Sequence, residues 1–400
     1  MSIATLLSYG MGMESTCILV RWIVEPETRP CPLDQLIVIT AQVGDEYANT
    51  GRDVELHVLP LLRKHQIRYV QVARHGHLEA DGITILDDSR VPERVFLDGD
   101  FKLSDELKQN GTVPQYGGVH RCALKFKAWV IEEWLRRHVS EETIRHAIGY
   151  NSLEANRVAR SEYAFAARMA FGFSREEASR VARSQEYDSL RRLAFYPLVE
   201  WGWTRADCQD YLRTVLGVEW KKSACVFCPF NRLEGEAVER HRAHPDQVAA
   251  AMLMEHVALA LNPRASLYKN RSLIEIASAT GNTAAVIEYR RHLDEAQWAT
   301  YRVRRIFSAK GRADRAVERL ELFGTDRSAM ERLAQLAVAE QRSVDCVGPI
   351  PYVWRERRTE DKYPCREEFL TVAPATVDTK ARYGLPWFEE RWASVQLRLF

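Results

Sequence analysis

The chain has no apolar stretch approaching the ~20 residues a membrane-spanning helix needs, and it has no internal repeat or low-complexity tract. It also lacks charge of one sign. Its 56 basic and 55 acidic residues leave a formal net charge of +1, which gives no global drive toward nucleic acid or a membrane surface. The N-terminal MSIATLLSYG has neither the basic start nor the small-residue cleavage site of a secretory signal, so the chain is expected in the cytoplasm with no membrane partner. The eight cysteines are irregularly spaced, which argues against a disulfide framework and for thiol or metal chemistry. What the sequence does have is length and apolar content, 400 residues at 46% hydrophobic. That is enough for a large core in two or three units.

The first segment, Ile3 to Gly10, reads as an apolar strand running into glycines, and Ser15 to Val24 reads as the start of a buried helix. Gln35 to Ala41 is a second apolar run, TGRDVELHVLPLLRKH carries apolar residues at helical spacing, and Ile67 to Ala73 is a third strand. This βαβαβ order predicts a doubly wound parallel sheet covered on both faces. The ligands of such sheets sit at the carboxyl ends of the strands. Residues 74–119, polar and rich in glycine, aspartate and proline, read as a long loop near the site. KFKAWVIEEWLRRH resumes the helical pattern, IRHAIGY reads as a strand, and 158–193 reads as a helical insertion. RLAFYPLVEW returns to the core, and TRADCQDYLRTVLG reads as a helix with Thr204 as its N-cap and Gly217 past its end. The expected division is an α/β domain over 1–235 and a mostly helical C-terminal domain over 236–400, with helical pattern running on to about Ala339.

The chemistry begins at SYGMGMEST, Ser8 to Thr16. Glycines between a buried strand and a helix let backbone N–H groups approach an anion, and the helix start adds its partial positive charge. The lysine and spacing of a Walker loop are missing, as is GxGxxG. An ordinary strand-to-helix turn is the bland alternative.

SYGMGMEST resembles the phosphate loop of the PP-loop ATP pyrophosphatases, in the phosphoadenosine phosphosulfate reductase-like group. Gly10, Gly12, Ser15 and Thr16 fit that pattern, with Met11 where the family has glycine and Glu14 where it has aspartate or asparagine. TAQVGDEYANT resembles the family segment after the second strand through Gly44 and Glu46, and IGYNSLEANR resembles a later one through Gly149, Glu154 and Arg157. YPLVEWGWTRADCQDYL and KKSACVFCPF resemble its closing strand, helix and cysteine loop. The resemblance covers about Ser8 to Phe230 and implies an adenine nucleotide alpha-hydrolase-like fold. It also implies ATP with Mg2+ as substrate and adenylation of an acceptor with release of pyrophosphate. On this reading Ser15, Lys127 and Arg157 are the candidate catalytic residues. Ser8, Gly10, Gly12, Glu14, Ser15, Thr16, Gly44, Glu46, Arg121, Gly149 and Glu154 are the candidate nucleotide contacts.

Cys122 before a helix, and Cys225 with Cys228 in SACVFC, resemble the positions where iron-sulfur members of the family keep cluster ligands. The resemblance implies a possible [4Fe-4S] cluster, with Zn2+ as the competing metal and buried unliganded thiols as the plain alternative. A cluster would imply sulfur transfer onto the adenylated acceptor, with a nucleic-acid acceptor and a sulfur-donor or complex partner protein. Reduction of phosphoadenosine phosphosulfate is less expected, because the Glu-Cys-Gly-Leu-His segment of that enzyme is not found here. Amidation or ligation without a cluster, and a non-catalytic ATP-binding subunit, are the alternatives. The arginine-dense stretch 301–327 reads as a solvated helix face or a phosphate-tracking surface.

Overall fold

The computed structural model describes residues 4–114, 120–140, 143–156, 158, 192–231, 233–268, 271–310, 312–358, 362–379 and 385–397. The helical insertion expected over 158–193 lies almost wholly outside these residues. The chain divides into two compact units, one of residues 1–103 and 117–226, the other of residues 104–116 and 227–400.

The first unit is α/β. Six strands, β1 (Ala4–Ser8), β2 (Leu36–Gln42), β3 (Arg68–Arg74), β4 (Ile83–Ser89), β5 (Ile144–Ala147) and β6 (Arg192–Phe195), form one sheet in the order β4-β3-β2-β1-β5-β6. Every pairing is parallel except β3 with β4. Apolar residues alternate across β1 so that both faces are buried. Leu7 packs with Cys17, Ile18 and Val54 on one side, and Leu6 packs with Val130, Trp134 and Leu135 on the other. Because the chain leaves β1 toward β2 and β3 and returns to its other flank as β5, the order reverses beside β1. That switch point leaves a crevice at the carboxyl ends of β1, β2 and β5, where α/β sheets bind ligands.

The local signals act where the sequence places them. Thr204 caps the helix Arg205–Leu216 through the N–H of Asp207, the Asp207 carboxylate returns to the Thr204 N–H, and Gly217 closes the helix in the left-handed region at φ 70°. The expected long loop over 74–119 is corrected. It contains β4, an antiparallel edge strand whose sequence ITILDDS is half exposed and so carries little apolar signal, and the helix Leu103–Asn110.

The second unit corrects the expectation of a mostly helical domain. The strands β7 (Trp298–Ala309), β8 (Arg312–Phe323), β9 (Asp345–Val347), β10 (Ile350–Glu356) and β11 (Cys365–Pro374) form an antiparallel sheet in the order β8-β7-β11-β10-β9. Tyr301, Val303, Tyr352 and Phe369 face Val257 and Leu261 of the helix Pro245–Leu261, while Trp298, Val353 and Leu370 face Leu333 of the helix Asp326–Ala339. β7 is buried on both faces and so shows no period of two, and Arg302, Arg304 and Arg305 stand where such a strand would ordinarily carry apolar residues. Their charges are met by glutamates, Arg302 by Glu368 at 2.8 Å, Arg305 by Glu367 at 2.6 Å and Arg304 by Glu389.

Candidate functional site

The loop Tyr9–Gly12 links β1 to helix α1 (Met13–Val24), and all four of its carbonyls are anchored. The Thr40 hydroxyl donates to the Tyr9 carbonyl at 2.7 Å, the Ser223 hydroxyl to that of Gly10 at 2.7 Å, and the Trp220 indole to that of Met11 at 3.0 Å. Gly12 accepts from the backbone and hydroxyl of Thr16 at 3.0 and 2.8 Å. In a planar peptide the N–H points opposite to the carbonyl that precedes it. Holding these oxygens therefore turns the N–H groups that follow them the other way. Among the described residues none accepts a hydrogen bond from the N–H of Gly10, Met11 or Gly12. Gly12 offers no side-chain cap, so the first turn of α1 also presents unpaired donors. The result is a donor-rich, positively polarised concavity of the kind that holds phosphate.

Met11 occupies the left-handed region at φ 57°, which is rare for a residue with a β-carbon. Its side chain is 4% exposed and packs in the core with Cys17 and Ile18. Gly149 is required for a different reason. A β-carbon there would lie 3.2 Å from the Ser15 nitrogen, so glycine lets the end of β5 approach the start of α1.

A cavity of about 450 Å³ opens over this loop, lined entirely by the first unit. That volume is in the range of small-molecule sites. It brings together Ser8, Gly10, Gly12, Glu14, Ser15, Glu46, Lys127, Gly149 and Glu154 of the residues expected from sequence. Thr16 is fully buried and serves the loop from beneath, bonding the Gly12 carbonyl and the Tyr9 hydroxyl. Gly44, at φ 88°, packs on the Lys102 side chain, and Arg121 is exposed; neither lines the cavity. Arg157 lies outside the described residues.

Glu46 reaches the cavity wall with both oxygens engaged. Oε1 accepts from the Ala224 N–H at 2.6 Å and the Thr50 hydroxyl at 3.2 Å, and Oε2 lies 3.1 Å from the Ser223 hydroxyl. A backbone bridge between Glu46 and Cys225, and the Val226 N–H on the Asp45 carbonyl at 3.0 Å, complete the clasp. The segment 220–226 is thereby held against the loop, and Lys222 and Ser223 line the cavity.

Four residues that sequence reasoning missed also line it: His146, Arg192, Arg205 and Lys222. Arg205 lies 3.9 Å from Glu14. Lys127 comes from a π turn, Leu124–Ala128, that precedes the helix Trp129–His138; such turns recur at functional sites. His146 is fully buried, with Nε2 2.7 Å from the Ser8 hydroxyl and Nδ1 3.4 Å from an Arg192 nitrogen. Burial, and then the Arg192 charge, hold its pKa well below the ordinary histidine value. The signals for Arg192 and Lys222 were present as charged residues at a strand start and beside the cysteine loop. Nothing local marked His146.

All eight cysteines are thiols. Cys122 and Cys225 belong to the first unit and Cys228 to the second, all three half-buried. Among the described residues no three or more His, Cys, Asp or Glu side chains are gathered to hold a metal ion. Cys17 of α1 and Cys208 of the helix Arg205–Leu216 are buried in the same core cluster.

No protein-family model, curated protein or solved structure matches this chain.

Proposed function

We propose that the first unit binds ATP over the Tyr9–Gly12 loop and transfers its adenylyl group to an acceptor, as the PP-loop resemblance implies. The observation that carries this reading is the loop itself, whose carbonyls are anchored while the N–H groups of Gly10, Met11 and Gly12 have no acceptor among the described residues, on the wall of a cavity also lined by Lys127, Arg205 and Lys222. An acceptor oxygen would attack the α-phosphorus and lose its proton. The α–β phosphoanhydride bond would break and pyrophosphate would leave with the electron pair. The chain's own part is electrostatic: fixed donors and cations aimed where phosphoryl charge grows. Magnesium would enter with the triphosphate.

The described residues gather no three-ligand metal group, so no step is routed through an iron-sulfur cluster or zinc. The place of Cys225 in the segment that walls the cavity favours sulfur transfer to the adenylated acceptor as a second reading. Iron, zinc and acid-labile sulfide assays on anaerobically purified protein separate it from adenylation alone. For the first reading, calorimetry with α,β-methylene ATP tests binding, and nucleotide analysis after incubation with ATP tests the bond cleaved. AMP with pyrophosphate supports the proposal, ADP with phosphate overturns cleavage at the α-phosphorus, and absence of binding overturns the whole.

A further inference from the structure

We infer that His146 is a positioning residue, fixed by Arg192 as the neutral Nε2–H tautomer so that the Ser8 hydroxyl proton is turned into the cavity as a donor to a phosphoryl oxygen. The last step rests on the nucleotide reading above. The tautomer does not.

A guanidinium can only donate hydrogen bonds. The Arg192 nitrogen 3.4 Å from Nδ1 therefore makes Nδ1 the acceptor, and a neutral imidazole then carries its single proton on Nε2. Arg192 is itself 4% exposed and paired with Glu132, which fixes the guanidinium from behind. Nε2–H donates to the Ser8 oxygen at 2.7 Å, and that bond uses a lone pair of the hydroxyl and leaves its proton unspent. Ser8 lines the cavity at the end of β1, immediately before the loop Tyr9–Gly12, which lines the same cavity and whose Gly10, Met11 and Gly12 N–H groups have no acceptor among the described residues. Its proton is thus directed at whatever acceptor the loop binds.

The same contact, read without Arg192, would look like a serine activated by a histidine base. That arrangement needs a proton on Nδ1, which would set an N–H against the guanidinium. The pair is therefore not a nucleophile with its base, and the reaction forms no serine ester.

The experiment uses the full chain, with imidazole nitrogen-15 labelling and long-range proton–nitrogen correlation spectra at neutral pH. The expected result is His146 with Nε2 protonated and Nδ1 bare; a protonated Nδ1 overturns the inference whatever the chain binds. Affinity for α,β-methylene ATP is then measured for Ser8→Ala, His146→Leu, the double variant and His146→Gln. Each single loss is expected to weaken binding about tenfold. The double variant should be no weaker than either single one, because the two residues act as one donor. His146→Gln, which keeps an N–H at the Nε2 position, should stay within about twofold of wild type and also serves should the leucine variant not fold. Additive losses, or a glutamine variant as weak as leucine, overturn it. A chain that shows the Nε2–H tautomer but binds no analogue retires the nucleotide reading and leaves the orientation of Ser8 standing.

Discussion

The two units treat buried polarity in opposite ways. In the second, charge cancels internally: Arg305 and Glu367, 10% and 4% exposed, pair at 2.6 Å, and Arg355 lies between Glu340 and Glu368. In the first, buried hydroxyls and amides such as Thr40 with Tyr69, and Gln42 with Gln71, tie down neighbouring groups while N–H donors are left to face the cavity. A charge already cancelled has little left for a ligand, whereas neutral groups spent on carbonyls release the opposite ends of the same peptides. The arginine-dense stretch 301–327 accordingly behaves as part of a sheet's own ion-pair lattice rather than as the expected solvated helix face.

The largest effect should come from unbalancing the ion pair. Glu367→Ala leaves Arg305 buried and uncompensated and is expected to cost about 3–5 kcal/mol in urea unfolding, whereas the apolar double replacement Arg305→Met with Glu367→Leu should be close to neutral. Equal costs for the two would mean that the pair contributes net stability, against the comparison drawn above.

Next is a pH effect inside the second unit, where adjacent residues oppose each other. Burial raises the Glu255 pKa from 4.5 to about 7 and lowers that of His256 from 6.5 to about 4. Glu255 binds its proton more tightly folded than unfolded, so its contribution is full below about pH 4.5 and is lost as pH rises through about 7. His256 resists protonation when folded, so its contribution is full above about pH 6.5 and is lost as pH falls toward about 4. Each amounts to roughly 3 kcal/mol, and in the shared window they offset. Wild-type stability should be nearly flat there. His256→Gln should become less stable as pH rises, and Glu255→Gln less stable as pH falls; parallel profiles in both variants would contradict the opposition.

In the first unit the effects should appear in ligand binding more than in stability. Glu46→Ala unpairs the Ala224 N–H and loosens the segment that holds Ser223 and Trp220 on the loop. It should lose about 1–3 kcal/mol of stability and most of its affinity for α,β-methylene ATP. An affinity loss no greater than that of Ser223→Ala would show that the clasp acts through Ser223 alone. The smallest change in the series, Gly149→Ala, places a methyl 3.2 Å from the Ser15 nitrogen and is expected to weaken binding by about tenfold with a melting shift of only a few degrees. Unaltered binding would mean that the helix start is not part of the phosphate site.

The parts of this architecture that announce themselves in sequence are those set by neighbours along the chain. The β1–loop–α1 unit follows from apolar run, glycines and apolar run, and the helix Arg205–Leu216 from Thr204 and Gly217. The loop's glycines were legible for the same reason, whereas Ser15 and Gly149 were picked out only through the resemblance. The strands β7 and β8 were not, because Arg304 and Arg305 take buried positions that only Glu389 and Glu367 make tolerable. Nor were Thr40, Trp220 and Ser223 as anchors, since a hydroxyl or an indole carries no mark of the carbonyl it will meet. His146 was invisible because its significance lies in what stands on either side of it in space, Ser8 on one strand and Arg192 on another. Glu46 was picked out as a ligand contact and does line the cavity, but its bonds to Thr50, Ser223 and the Ala224 N–H were not legible.

The Ser223 bond to the Gly10 carbonyl spans 213 positions of sequence, and this sets a schedule for the newborn chain. Translation at 5–20 residues per second separates the two partners by roughly 10 to 40 s. Throughout that interval β1 and its glycines are already made, with Thr16 and Thr40 beside them, while Trp220 and Ser223, which anchor the Met11 and Gly10 carbonyls, are still inside the ribosome or not yet encoded into peptide. A nascent chain halted before Trp220 should therefore carry the whole glycine loop and yet fail to retain nucleotide, acquiring that capacity only when the cysteine segment emerges and closes onto it.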